Sequence, residues 1–332
     1  MAKITLKDIA ARTGVSVSAV SLALNHRPGI SDATRELVLR EAEQAGYPVK
    51  KQRRSGVREI MLLYYSNDQE GPNDAIFAAL LNSLTTAAYE ANCTITLRYI
   101  SPWQPLNRDA FGTCSGILFF GAYLPSLDIL DEVLSLGLPP VLFDREAPER
   151  PCNSVSIDND AATTQLFQWF WSHGYRRIAM INNTYSYPFQ NCNQRQDAYF
   201  RCAREVGMTP SLCTVHVGQA QQELTDWYQE LPQPPDAVII TSDFLAIQVL
   251  PLLAGLGLMI GDNCAAVSFD NLPMAVGCTP PLSSMDLHHH ARAVLALERL
   301  LSLIEQPEQP VQRIRLGTDL VIRESIPRVT PR

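Results

Sequence analysis

At 332 residues the chain is long enough for two or three domains, and 46% hydrophobic with 18% charged residues is ordinary globular composition. No run approaches the roughly 20 apolar residues of a spanning helix. Lys3, Lys7 and Asp8 stand where a signal peptide would place its apolar core, so the protein is expected in the cytoplasm, with no membrane partner. The net charge of −7 hides an asymmetry, because residues 1–58 are basic and the remainder is strongly acidic. A basic head on an acidic body is the footprint of a nucleic-acid-binding module joined to something else.

Thr5 to Asn25 reads as two short helices joined by a tight turn. Leu6, Ile9 and Ala10 make one apolar stripe, and Thr5 stands at the cap position with Asp8 three residues on. Gly14 supplies the turn, Ser16 takes an N-cap position, and Val20 and Leu24 face inward. The spacing fits an ordinary helical hairpin or a helix-turn-helix, whose second helix enters the DNA major groove. A third helix over 32–45 starts at Ser31-Asp32, packs with Val38 and Ala42, and ends at Gly46. Pro48 to Arg58 is a basic linker without an apolar anchor. Lys50, Lys51, Arg53 and Arg54 are candidates for contacts to phosphates or a narrow minor groove, and a flexible solvated tether fits the same composition.

From Glu59 the pattern alternates between strands and helices. Strands are expected at 60–65, 94–100, 116–120, 140–144 and 154–158, with helices at 74–92 and 127–136. A second unit follows, with strands at 176–182, 214–217, 237–242 and 265–270, and helices at 161–173, 195–206 and 244–256. Such alternation builds parallel sheets covered by helices on both faces. Two α/β lobes in tandem make a clamshell, with the ligand crevice outside the C-terminal ends of the strands.

Eight scattered cysteines show no CxxC spacing, so reduced, mostly buried thiols are expected. Adjacent residues of His288-His289-His290 point in different directions on a helix, so no metal and no cofactor is expected. Enzyme chemistry is disfavoured because GxGxxG after a first strand, GxxxxGK[ST] and GxSxG are all absent.

Candidate ligand residues come from strand ends. Asp144 closes PVLFD, Asp270 closes AAVSFD, Asp243 follows AVIITS, and Arg195 opens a helix after the loop 183–194. Carboxylates and a guanidinium converging on a cleft suit hydroxyl-rich molecules. Phe77, Tyr123, Phe189 and Phe244 lie on or beside strand–helix loops and could supply aromatic faces. Core packing competes for each aromatic, and a helix N-cap role competes for Asp243. In the head, the hydroxyls of Thr5, Ser16, Ser21 and Thr34, with Asn25, suit phosphate contacts, which position without specifying; local capping competes for each.

The segments TLKDIAARTGVSVSAVSLALN and ISDATRELVLREAEQAGY resemble the headpiece of LacI-type bacterial transcription regulators. SIDNDAATTQL, HGYRRIAMI, SFDN, TPPLSSM and LGTDLVIRES are similar to blocks of that family's effector domains, so the likeness spans nearly the whole chain, most weakly in the linker. The resemblance implies an all-α helix-turn-helix headpiece at 1–47, a hinge or linker at 48–58, and a two-lobed periplasmic-binding-protein-like α/β body. It divides that body into 59–158 with 287–316 and 159–286 with 317–332. It assigns base reading to Val17, Ser18 and Leu22; Leu22 lacks the guanine-reading capacity of the Arg common there. It maps effector contacts onto Asp144, Arg195 and Asp270.

The function so implied is a repressor acting as a homodimer on double-stranded, palindromic operator DNA, controlled by a small molecule, with a sugar favoured. No heptad tail for a tetramer follows Arg323-Glu324-Ser325. A cytoplasmic small-molecule-binding protein of the same fold with weak or nonspecific DNA binding is the alternative.

Overall fold

The computed structural model describes residues 4–24, 30–45, 47, 58–65, 75–101, 106–122, 124–184, 190–216 and 218–327. The chain divides into two compact units, Met1–Val57 and Arg58–Arg332.

The first unit holds three helices, α1 (Leu6–Thr13), α2 (Val17–Leu24) and α3 (Asp32–Gln44). Ile9, Ala10, Val20, Ala23, Leu24, Val38 and Ala42 bury one small core between them. Gly14 adopts φ 70° and its N–H returns to the Ala10 carbonyl, which ends α1 and turns the chain toward α2.

The second unit begins with β1 (Arg58–Tyr65), α4 (Ala75–Glu90), β2 (Cys93–Ile100), β3 (Gly116–Phe120), α5 (Asp128–Ser135), β4 (Pro140–Phe143) and β5 (Asn153–Ile157). It continues with α6 (Asn159–Ser172), β6 (Ile178–Thr184), α7 (Gln190–Glu205), β7 (Ser211–His216), α8 (Ala220–Glu230), β8 (Ala237–Ile240), α9 (Asp243–Gly255), β9 (Ala265–Asp270), α10 (Pro273–Val276) and β10 (Ser283–Asp286). It ends with α11 (His289–Glu305), β11 (Arg313–Leu316) and β12 (Asp319–Val321).

Two six-stranded sheets result, ordered β11-β5-β4-β3-β1-β2 and β12-β10-β9-β8-β6-β7. Every pairing is parallel except β10 with β12. The continuous apolar run of β1 follows from burial on both faces. Ile60, Leu62 and Tyr64 meet α4 and α11, whereas Met61, Leu63 and Tyr65 pack on the α5 side. The second sheet repeats the arrangement, with α6 and α7 on one face and α8 and α9 on the other. A Cβ on Gly116 would stand 2.8 Å from Leu300 Cδ1, so glycine lets α11 lie close against β3.

The chain passes from the first sheet to the second after β5, returns after β10 to place α11 on the first sheet, and crosses again between β11 and β12. Several elements are absent from the sequence reading, namely α8, α10, α11 and the short strands β10, β11 and β12. Another, α7, starts at Gln190, five residues before the expected Arg195. Its first turn, Gln-Asn-Cys-Asn, shows no apolar periodicity and is anchored by side-chain amides instead. Gln190 Oε1 accepts from the Glu146 N–H at 2.9 Å, and Gln190 Nε2 donates to the Glu146 carbonyl at 3.2 Å. Among the described residues no helix is long and apolar enough to cross a membrane.

Candidate functional site

In the first unit, the Thr5 N–H and hydroxyl both donate to the Asp8 carboxylate, at 2.8 and 2.7 Å. Those bonds from Thr5 hold the Asp8 carboxyl below its ordinary range. Ser16 Oγ accepts from the Ala19 N–H at 3.1 Å and caps α2. Along α2 the buried side is Val20, Ala23 and Leu24, while Val17 and Ser18 are exposed and Ser21 and Leu22 are half-buried. The residues assigned to base reading therefore occupy the opening turns and outer face of the second helix. Thr34 is half-buried and its hydroxyl lies 2.8 Å from Ser31 Oγ, which also accepts the Thr34 N–H and caps α3. Thr5 and Thr34 thus have local partners in this structure. Asn25, Lys50, Lys51, Arg53 and Arg54 lie outside the described residues, as do Tyr123 and Phe189 of the body.

In the second unit the strand ends converge. Asp144 directly follows β4 with φ 62°, and Asp270 ends β9 with φ 108°. Both are left-handed backbones that L side chains rarely adopt, which points to positions fixed by their surroundings. Buried Arg292 of α11 donates through Nη1 to Asp144 Oδ1 at 2.5 Å and through Nη2 to His289 Nδ1 at 2.7 Å. His289 Nε2 lies 3.0 Å from the Asp270 carbonyl. Because Arg292 can only donate, His289 Nδ1 must accept and Nε2 must carry the proton. Burial, then the Arg292 charge, push the His289 pKa down from 6.5 to about 4, consistent with that neutral tautomer.

Arg195, 4% exposed, donates from Nε to Asn159 Oδ1 at 2.8 Å and from Nη1 to the Thr241 carbonyl at 2.5 Å. Its guanidinium stacks 4.2 Å from the Phe269 ring centroid. Asn159 in turn donates to Gln194 Oε1 at 3.0 Å and Asn191 Oδ1 at 3.2 Å, and Asn191 donates to the Asp144 carbonyl at 3.4 Å. Asp270 is 2% exposed, and no hydrogen bond to its carboxyl exists among the described residues. Burial raises its pKa well above the ordinary carboxylate range, against the opposing pull of Arg195.

Asp144, Arg195 and Asp270 are brought together; Asp243 and Phe77 are not. The Asp243 carboxylate takes the Ser268 hydroxyl, the Ser284 hydroxyl at 2.8 Å and the Leu272 N–H at 2.6 Å. It is fully buried and joins β9, β10 and the loop after β9, which leaves no acceptor for a ligand. Nor is it the N-cap of α9, since Ser242 Oγ accepts the Leu245 N–H at 3.1 Å. Phe77 is 4% exposed and packs against Tyr64 and Phe120 at ring distances of 4.3 and 5.5 Å, in line with Leu80 and Leu84 on the buried stripe of α4. The sequence reading missed Arg292, His289, Asn159, Gln190 and Asn191. The i, i+3 spacing of His289 and Arg292 was a usable sign of a polar face on α11.

Comparisons with known proteins agree with this architecture. Residues 5–48 match the family model "Bacterial regulatory proteins, lacI family", and residues 167–326 match "Periplasmic binding protein-like domain". The HTH-type transcriptional repressor CytR of Escherichia coli (strain K12) is 26% identical, covering 99% of this chain and 96% of the relative. A structure of the transcriptional regulator CelR–cellobiose complex superposes with a TM-score of 0.66 at 24% identity, covering 97% of this chain and 99% of CelR. The lac repressor dimer bound to operator and the anti-inducer ONPF gives a TM-score of 0.66 at 17% identity, covering 98% of this chain and 100% of that one. With a headpiece match, a binding-protein-like body and a full-length curated relative, the chain belongs to the lacI family of bacterial regulatory proteins.

Proposed function

We infer that this chain is a sequence-specific transcription repressor whose hold on DNA is set by a small molecule bound where Asp144, Arg195 and Asp270 converge. The observation that carries the reading is the joining of two parts in one family member: a capped helix-turn-helix with Val17 and Ser18 exposed, and strand ends that converge on charged, buried side chains. It is a regulator and not an enzyme, as the CytR repressor relative is. It acts as a homodimer on a palindromic operator, the symmetry of the site mirroring that of the protein. It works in the cytoplasm, on the nucleoid when bound to DNA.

Val17, Ser18 and Leu22 read base edges, Leu22 by apolar contact with a thymine methyl. Thr5, Ser16, Ser21, Asn25 and Thr34 contact phosphates, with Lys50, Lys51, Arg53 and Arg54 of the linker adding charge. The effector is a sugar or sugar derivative, since carboxyl and guanidinium groups suit several hydroxyls; the cellobiose held by CelR is in keeping with this. Selection of operators from random duplex DNA tests the DNA half of the reading. A palindromic consensus is expected, and Ser18→Ala or Val17→Ala should alter base preference at defined positions. Enrichment of no sequence would count against a sequence-specific regulator.

A further inference from the structure

The two lobes are joined by more than the three crossings of the chain. Gln190 opens α7 in the second lobe, and Glu146 lies between β4 and β5 of the first. The Gln190 side-chain amide meets both backbone groups of Glu146. Its Oε1 accepts the N–H at 2.9 Å, and its Nε2 donates to the carbonyl at 3.2 Å. One amide exchanging both bonds with one residue imitates a rung of an antiparallel ladder, which fixes orientation as well as distance. Beside it, Asn191 Nδ2 donates to the Asp144 carbonyl at 3.4 Å. Asn191 Oδ1 accepts from Asn159 Nδ2 at 3.2 Å, so the turn that carries both amides is tied to the start of α6.

A tie to a loose loop would hold nothing, but the loop after β4 is anchored. The Glu146 carboxylate, 7% exposed, accepts from Ser156 Oγ of β5 at 2.8 Å. It also takes Arg315 of β11 in two bonds, at 2.5 and 2.6 Å. Asp144 is held by Arg292 of α11. A pull by Gln190 is therefore passed to three elements of the first lobe. Every donor and acceptor in this tie belongs to the chain, so no ligand is needed to form it. It stands beside the ligand residues, since Asn191 meets Asp144 and Arg195 donates to Asn159.

We propose that Gln190 is a latch that holds the lobes shut over the cleft without any ligand, and that its release gates entry. A ligand reaches Asp144, Arg195 and Asp270 only while the latch is open, so Gln190 sets how often the cleft admits one. The gate rests on the reading of that cleft as the effector site.

Cys192 reports the opening. Burial raises its thiol pKa, and the charges that act on it are those of Arg195, Asp270 and Asp144, which places it at the cleft. Of the other cysteines only Cys278 is not buried. The full chain is therefore labelled with 4,4′-dithiodipyridine in a Cys278→Ser background, without ligand or DNA, and Cys192→Ser supplies the zero. Gln190→Ala should raise the rate of Cys192 labelling about tenfold, as the loss of two neutral hydrogen bonds implies. Arg315→Met, remote from Cys192 in sequence, should raise it too, because the loop then yields without the lobe following. Far-UV and near-UV spectra check the fold of both. Labelling of Gln190→Ala at the background rate would overturn the proposal. A faster Gln190→Ala beside an unchanged Arg315→Met would reduce the effect to a frayed helix end and would also overturn it. No effector or operator enters the measurement, so its failure is separate from failure of the regulator, which operator selection tests.

Discussion

Arg292 reaches from α11 to Asp144, 148 residues away in sequence, and both partners are buried. Removing one partner of such a pair strands the other charge. Arg292→Met should cost about 3–5 kcal/mol of stability in urea unfolding, and the Asp144→Asn, Arg292→Met double variant should lose less than the single one. His289 sets a pH dependence of defined sign. Its folded pKa, about 4, lies below the ordinary 6.5, so the unfolded chain binds the proton more readily between those values. The stabilisation it brings is therefore complete above pH 6.5 and is lost as pH falls toward 4. Asp270, with its pKa raised, contributes the opposite slope, so the comparison with His289→Asn isolates the histidine. The variant places its Oδ1 near the position of His289 Nδ1 and so keeps an acceptor for Arg292 without a titrating ring. The two stability curves should run parallel above pH 6.5 and draw together below it, as read by denaturant titrations.

Among elements, β3 and β9 have the bounds that the residues announce, 116–120 and 265–270, because each is a short run buried along its whole length. Neither α8 nor α11 is announced so clearly. In α8 only Leu224 is buried, so no stripe marks it. In α11 the apolar face opens with His289 and Arg292, whose burial depends on distant Asp144 and Asp270. The first turn of α7 is hidden for the same reason, since its amides find their partners on the loop after β4. Strand-end carboxylates were legible because open α/β sheets present their C-terminal ends to the crevice. The residues that position those carboxylates were not, because nothing local in sequence joins 144 to 292 or 159 to 195. Gln190 ties α7 to the Glu146 backbone across the two sheets. Gln190→Ala should weaken that clasp by about 1–2 kcal/mol. Hydrogen exchange at the Glu146 amide should quicken, and unchanged exchange would mean the clasp contributes nothing.

At the scale of the whole molecule, a basic head and an acidic body divide the work. The head supplies affinity for phosphate, and the body repels it. Replacing Lys50, Lys51, Arg53 and Arg54 together by Gln should flatten the dependence of log affinity on log salt by about 0.9 for each phosphate that is no longer neutralised. An unchanged slope would make the linker a tether only. The body can act on the head only through a difference in ligand affinity between its DNA-competent and incompetent states.

That coupling is the central claim, and one titration tests it most directly. Operator affinity of the full chain is measured at fixed salt, without ligand and with a cleft ligand at saturation. A change of about 5–150-fold is predicted, in whichever direction the ligand biases the two states. Identical affinity with the cleft demonstrably full would contradict the account, because binding in the body would then have no consequence for the head.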